Sequence, residues 1–175
     1  MNHTDHVNLI RAGIHQPNGI WADLGAGAGA FTLALADLLG EGAQIYSIDR
    51  DASALNQQRA AMRQQFPKRA ISYHNADFTG KLDLPALDGV VMANSLHFVK
   101  QKEPVLALVR GYLKPGGQLI LVEYNTDQGN TWVSYPLSFE RWRTLANKNG
   151  FSDTRLLSAR PSRFLNEIYS ALSLS

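Results

Sequence analysis

Three glycines at alternate positions, Gly25, Gly27 and Gly29, follow the apolar run Ile20–Leu24 and precede the alanine- and leucine-rich run Ala30–Leu39. Backbone this bare allows positive φ at a sharp turn and lets a ligand lie directly on the main chain. The helix predicted to follow offers free N–H groups and the positive end of its dipole. An elongated ligand with polar or anionic groups suits such a turn. Gly25, Gly27 and Ala30 satisfy the dinucleotide spacing G-x-G-x-x-G/A. A turn serving only close helix–strand packing satisfies it too. Asp23, just ahead of the glycines, separates the ligand classes. It would repel a pyrophosphate and attract a ligand carrying an ammonium and a sulfonium.

Further carboxylates fall at strand ends. Asp49, in "IYSIDRD" with Arg50 beside it, lies about twenty residues past the glycines, the offset at which an acid meets a ribose diol. Asp77, in "HNADF", is followed by Phe78, whose ring can pack on a base. Solvent-facing turn or cap roles remain open for both aspartates.

The stretch Asp23 to Gly29, "DLGAGAG", resembles motif I of the class I S-adenosylmethionine-dependent methyltransferases, D/E-x-G-x-G-x-G. The segment "LDGVVMANSLHF" resembles their motif IV region, with "LHF" in place of the usual "LHH". Leu113 to Tyr124, "LKPGGQLILVEY", resembles the helix–turn–fifth-strand join. The resemblance covers the chain from about Asp5 to its end and implies S-adenosylmethionine as cofactor, with S-adenosylhomocysteine as product. It implies that Asp23 lies near the cofactor ammonium, and that the main chain of Gly25, Ala26, Gly27 and Gly29 meets the methionine portion. Asp49, with Arg50 beside it, would take the ribose hydroxyls. Asp77 would accept from the adenine amino group, with Phe78 on the ring, and Asn94 and Ser95 would line the methyl-transfer centre.

Such a cofactor brings an activated methyl group. The protein's task is then to hold a nucleophile in line, which can supply roughly 7–11 kcal/mol of a barrier. A protonated acceptor also needs a base. His97 is the leading candidate, because histidine exchanges its proton near neutrality; capping a helix or lining the cofactor pocket are its other readings. Tyr124 and Asp127 are further candidates. No metal is expected, since His3, His6, His15, His74 and His97 show no ligand spacing. For the acceptor, Trp132 and Tyr135 are expected to form a partial lid, with Tyr124 nearby, or else to pack the helix that follows. A short lid admits a small molecule closed off by a second subunit in a homodimer, or a larger acceptor that covers the site itself. A small molecule is favoured.

The elements that must position these residues alternate. Val7, Ile10 and Ile14 predict a short amphipathic helix. Strands are predicted at Ile20–Leu24, Gln44–Ile48, Ala70–Asn75, Gly89–Ala93 and Gln118–Tyr124. Helices are predicted at Ala30–Leu39, Ser53–Gln65, Glu103–Leu113 and, capped by Ser138, Phe139–Lys148. The alternation implies an α/β, doubly wound, mostly parallel sheet with helices on both faces. The last segments, Thr154–Ala159 and Phe164–Leu172, flank "RPSR". Leu165, Ile168, Tyr169 and Leu172 also fit a helical period, but the resemblance implies an antiparallel hairpin completing seven strands.

A chain of 175 residues suits one methyltransferase-like domain: residues 1–17 a short N-terminal helix, 18–124 the cofactor-binding core, 125–175 the last helix and hairpin. Cysteine is absent, which excludes disulfides, thiolate metal sites and cysteine nucleophiles. With no long apolar run and no secretory signal pattern, no membrane association is expected and the cytoplasm is the expected compartment. A net charge of +2 argues against a nucleic-acid partner. Arg59, Arg63, Lys68 and Arg69 form a basic stretch without interleaved aromatics, read as a solvated helix face. Arg141, Arg143, Lys148, Arg155, Arg160 and Arg163 face only Asp153 over their span, which leaves an anionic acceptor or a solvated surface open. Two other functions stand beside methyl transfer: a non-catalytic cofactor-binding module or partner subunit, and a nicotinamide-dependent enzyme.

Overall fold

The computed structural model describes residues 1–162 and 164–175; Arg163, in the turn "RPSR", lies outside the described residues. The apolar runs become strands Ile20–Leu24 (β1), Gln44–Asp49 (β2), Ala70–Asn75 (β3), Leu87–Ala93 (β4), Leu113–Tyr124 (β5), Ser152–Pro161 (β6) and Glu167–Leu174 (β7). The helices are His3–Ile10 (α1), Ala30–Leu39 (α2), Ala52–Gln65 (α3), Glu103–Tyr112 (α4) and Phe139–Lys148 (α5). The strands form one sheet in the order β3-β2-β1-β4-β5-β7-β6. β1 to β5 pair in parallel, whereas β7 runs antiparallel to both β5 and β6. This is the doubly wound fold with a C-terminal antiparallel hairpin that the sequence implied.

Both faces of the sheet are buried, which is why its central strands read as continuous apolar runs. Ala22, Leu24, Val90, Met92, Leu119 and Leu121 pack against Val105, Leu106 and Val109 of α4 and Trp142 of α5. The alternate residues Trp21, Ile45, Val91, Ile120 and Val122 meet α1, α2 and Met62 of α3. Each fully buried Leu, Val or Ile in these layers contributes roughly 1.5–3 kcal/mol. Helix starts follow local chemistry. Asn2 and Asp5 make a capping box for α1, Asp51 accepts from Ser53 and Ala54 at α3, and Ser138 caps α5.

Several boundaries differ from the sequence reading, each for a physical reason. The first helix stops at Ile10 and tightens into a 3-10 turn at Arg11–Gly13, so Ile14 packs from outside it. Helix α4 stops at Tyr112, and "KPGG" lies inside β5 rather than ahead of it. Leu113 pairs with Leu87, and pairing resumes only at Gln118 opposite Gly89. The arch between is tied to the chain end by Gly116 N–H to Ser175 O (3.0 Å) and Ser175 N–H to Gly117 O (2.9 Å). The last segment starts at Glu167, not Phe164, and is a strand. It is hydrogen-bonded on both sides and buried from Ile168 to Ser173, which outweighs its helical period.

β1 lies between β2 and β4, so chain connections leave in opposite directions there. The carboxyl ends of the parallel strands open a crevice at this point. The packing of that junction is tight: Gly89 sits opposite Trp21, and a Cβ on Gly89 would collide with the Trp21 ring. Trp21 is fully buried and has nowhere to move. Gly89→Ala is therefore expected to lose about 1–3 kcal/mol of stability in urea unfolding; an unchanged midpoint would contradict this packing.

Candidate active site

The glycine turn is laced to the end of β2. Gly25 and Ala26 both donate N–H to Ile48 O, at 2.9 and 3.0 Å, and Gly27 N–H reaches Asp49 Oδ2 at 2.7 Å. Gly25 and Gly27 have φ of 78° and 52°, a region that L side chains rarely adopt. A Cβ on Gly25 would strike Ser95, whereas a Cβ on Gly27 would meet nothing within 4 Å. The Gly27 backbone is therefore bare towards open space. That space is a cavity of about 350 Å³, lined by Gly25, Gly27, Asp49, Asp77, Phe78 and Asn94 among others. It falls in the size range of small-ligand sites.

The acids around the turn differ. Asp49 Oδ2 takes the Gly27 amide and Oδ1 takes the Asp51 amide at 2.8 Å, leaving one acceptor position on each oxygen for a ligand. Asp77 Oδ1 accepts from the Thr79 N–H and hydroxyl at 2.9 and 2.8 Å. These bonds, the backbone one first, hold its carboxyl below the ordinary range. Asp77 Oδ2 has no hydrogen-bond partner among the described residues. Asp23 is buried behind the turn, does not line the cavity, and accepts from Thr32 Oγ1 at 2.6 Å. Burial pushes its carboxyl up to about 7, against the Thr32 bond and with help from the nearby Asp49 charge. Arg50 lies at the cavity wall; Ala26 and Gly29 do not, and a Cβ on Gly29 would collide with Gln58 of α3.

The end of β4 closes the other wall. Ser95 Oγ donates to Leu24 O at 2.8 Å, tying β4 to β1. Asn94 adopts φ of 52°, and its buried Oδ1 has no partner among the described residues. A strained residue holding an unsatisfied acceptor at a cavity wall is an arrangement that a ligand donor would complete.

A 3-10 turn, Leu96–Phe98, then places His97 against a residue that the sequence reading missed, Glu123. Both side chains are almost wholly buried, and His97 Nδ1 lies 2.8 and 3.1 Å from the two carboxyl oxygens. Glu123 Oε1 also accepts the His97 backbone N–H at 3.1 Å. A carboxylate only accepts, so Nδ1 carries a proton and Nε2 is the ring nitrogen left to meet another group. Nε2 has no partner among the described residues. The signal for Glu123 was present: a carboxyl at the end of the apolar strand "LILVEY" has no cheap place to go.

The predicted lid residues scatter. Trp132 is 74% exposed and is not part of the lining of the glycine-walled cavity. Tyr135 lies in a groove of about 580 Å³ with Lys102, Glu103, Arg141 and Lys148, and its N–H donates to His97 O at 2.9 Å. Tyr124 borders a different cavity, with its ring 6.1 Å from that of His97. Asp127, the other base candidate, holds the cap residue of α5 by accepting the Ser138 N–H at 2.9 Å and its hydroxyl at 3.1 Å. No three potential metal-ligating side chains converge among the described residues.

Fold and site together define a Rossmann-like domain with a cofactor-sized cavity at the switch point of its sheet. The chain belongs to the methyltransferase domain family, whose model matches residues 16–169. It is 28% identical to the reducing polyketide synthase grgA of Penicillium over 92% of its own length, but spans 7% of that protein. It is 29% identical to the carboxy-S-adenosyl-L-methionine synthase of Pseudomonas syringae pv. tomato, over 89% of this chain and 65% of the relative. Among solved structures it resembles a 1,6-didemethyltoxoflavin-N1-methyltransferase of Burkholderia thailandensis, which holds 1,6-didemethyltoxoflavin and S-adenosylhomocysteine. The TM-score is 0.76 at 17% identity, covering 99% of this chain and 77% of that one.

Asp23 gives the site a pH signature. A carboxyl whose folded value lies near 7 and whose unfolded value is about 4 keeps its proton in the folded state between them. Stability then falls as pH rises from about 4 to about 7 and levels off above. Asp23→Asn has no such proton to lose. The variant should gain on the wild type across that window, by on the order of 1–4 kcal/mol in urea unfolding at stepped pH. Parallel pH curves for the two proteins would contradict the buried, protonated carboxyl.

Proposed function

We propose that this domain binds S-adenosylmethionine in the glycine-walled cavity and transfers its methyl group to a small-molecule acceptor by in-line displacement. The observation that carries the reading is the pairing of a bare Gly27 backbone with two rim carboxylates, Asp49 and Asp77. That field suits a cationic nucleoside and opposes a pyrophosphate, which disfavours a nicotinamide cofactor. The residues fit the group. The turn at Gly25 and Gly27 takes the methionine portion and Asp49 the ribose hydroxyls. Asp77 takes the adenine amino group and Phe78 packs on the ring. Asn94 Oδ1 takes the ammonium, and a cation there would favour loss of the proton that burial keeps on Asp23 behind the turn. Similarity to a carboxy-S-adenosyl-L-methionine synthase and to a methyltransferase holding S-adenosylhomocysteine supports the same cofactor.

When bound, the cofactor supplies a methyl group activated by a positive sulfur. The chain's own residues orient the acceptor and take its proton. His97 Nε2 is the base. Glu123 fixes the ring and stabilises the cation that forms, as an orienting carboxylate does in other base–acid pairs. That working dyad, Glu123 lying at the end of a core strand, favours an enzyme over a non-catalytic module. The whole stretch 1–175 acts as one domain. The cytoplasm is its proposed compartment, and among the described residues no helix is long and apolar enough to cross a membrane. A homodimer would shield the exposed mouth.

Calorimetry tests the cofactor assignment. S-adenosylhomocysteine should bind and NAD should not, and Asp49→Ala should weaken binding by about 1.5–3 kcal/mol. Unchanged affinity in that variant would remove Asp49 from the site. With an acceptor in hand, His97→Gln and Glu123→Gln should each cut turnover by about 10²–10⁴-fold while leaving S-adenosylhomocysteine affinity intact. Full turnover in either variant would end the base assignment.

A further inference from the structure

We propose that the groove beside α4 and α5 is a second ligand site, and that it takes a small organic phosphate through Lys100, Lys102 and Lys148. The groove measures about 580 Å³, within the range of small-ligand sites. It shares no lining residue with the glycine-walled cavity, so the site is complete without a cofactor. The two spaces are neighbours all the same. Val99 lines the cavity and Lys100 lines the groove, so one short segment of chain borders both.

Lys102 is the unusual member of the lining. It is only 7% exposed, and a lysine is almost never this buried unless a carboxylate pairs with it. Here the ammonium is held by two neutral acceptors instead, Val99 O and Tyr135 O, each at 2.8 Å. The Tyr135 ring centroid lies 5.9 Å from Nζ, at the outer limit of a cation–π contact. An ammonium has three donors, so one N–H is left over on a side chain that lines the groove. Carbonyls satisfy donors but leave the charge uncompensated, and an anion in the groove would offset it. Burial, the largest influence, holds the Lys102 pKa below the ordinary lysine value.

The surrounding charges favour an anion. Two of the three acids in the lining are already engaged. Asp127 holds Ser138 through its amide and hydroxyl, with Arg141 3.7 Å away, and Glu140 pairs with Arg143 at 2.6 Å. Glu103 is the remaining acid, against Lys100, Lys102 and Lys148. A phosphate dianion matches that set, because its oxygens accept from several point-charge donors at once, the manner in which lysine binds phosphate. Tyr135, 41% exposed, and Leu145 line the same groove and offer an attached ring or short apolar chain a surface to cover. The ligand is therefore an organic phosphate rather than the bare ion.

The test uses the full chain, isotope-labelled, with no cofactor added, so the outcome does not depend on whether S-adenosylmethionine binds. Phenyl phosphate is the probe and benzyl alcohol its uncharged control. Millimolar phenyl phosphate should move the amide signals of Lys100, Lys102, Tyr135, Arg141 and Lys148, and benzyl alcohol should not. Lys100→Gln combined with Lys148→Gln should weaken the probe by roughly three- to tenfold, whereas Glu103→Gln should tighten it by roughly two- to fivefold. Lys102→Met should weaken it by roughly tenfold or more; if that variant does not fold, the surface variants decide alone. The assignment is overturned if no amide moves, if the amides that move are Gly25, Gly27 and Asp77, or if benzyl alcohol moves the same set. It is overturned equally if the double lysine variant, or folded Lys102→Met, binds phenyl phosphate as tightly as the wild type.

Discussion

The hydrogen bond from Gly27 N–H to Asp49 Oδ2 ties the glycine turn after the first strand to the end of the second and sets the wall of the cavity beyond the sheet. It holds the glycine turn flat against β2 while Ile48 O takes the two preceding amides. With those donors occupied, the turn cannot relax outwards, and the open face of Gly27 becomes a wall. The same bond fixes the Asp49 carboxylate at the rim, so the shape of the cavity and its charge arise together. Parallel pairing in register, Leu24 beside Ile48, is what brings the two groups within reach.

The negative rim and the buried acid behind it form one electrostatic device with two protonation habits. Asp77, held low by Thr79, is ionised at neutral pH. Asp23, deprived of water, carries a proton over much of the range below neutrality. A bound cation would favour its ionised form, so cofactor binding and proton release are coupled at this position. Next to the cavity wall at Phe98, but outside the lining itself, the buried Glu123 carboxyl holds His97 by three contacts, through the ring nitrogen and the backbone amide. Lys102, nearby, pins the segment that carries Tyr135 to the one that carries Val99. His97 is thereby fixed from both its own backbone and its neighbours.

Much of this was legible in the sequence because it rests on local rules. Strand–helix alternation, the strand-end positions of Asp49 and Asp77, and the glycine spacing all follow from period and turn chemistry. What was hidden depends on contacts distant in sequence. The arch at Lys114–Gly117 joins the sheet only because Ser175 bonds to it from the chain end. Asp23 is held by Thr32, in the first turn of α2, so its motif position alone does not say that it stays out of the cavity lining. Glu123 becomes meaningful only once β5 lies beside β4 and His97 comes into reach. The lid expectation for Trp132 rested on an aromatic connection past the fifth strand, and there Trp132 stands exposed, its amide held by Asn130 Oδ1 at 2.8 Å.

The most direct measurement of the central claim is a crystal structure grown with S-adenosylhomocysteine. The account places the amino-acid end along Gly25 and Gly27, the ribose on Asp49 and the adenine between Asp77 and Phe78. Density for that molecule elsewhere on the protein, or an empty glycine-walled cavity at saturating concentration, would contradict it.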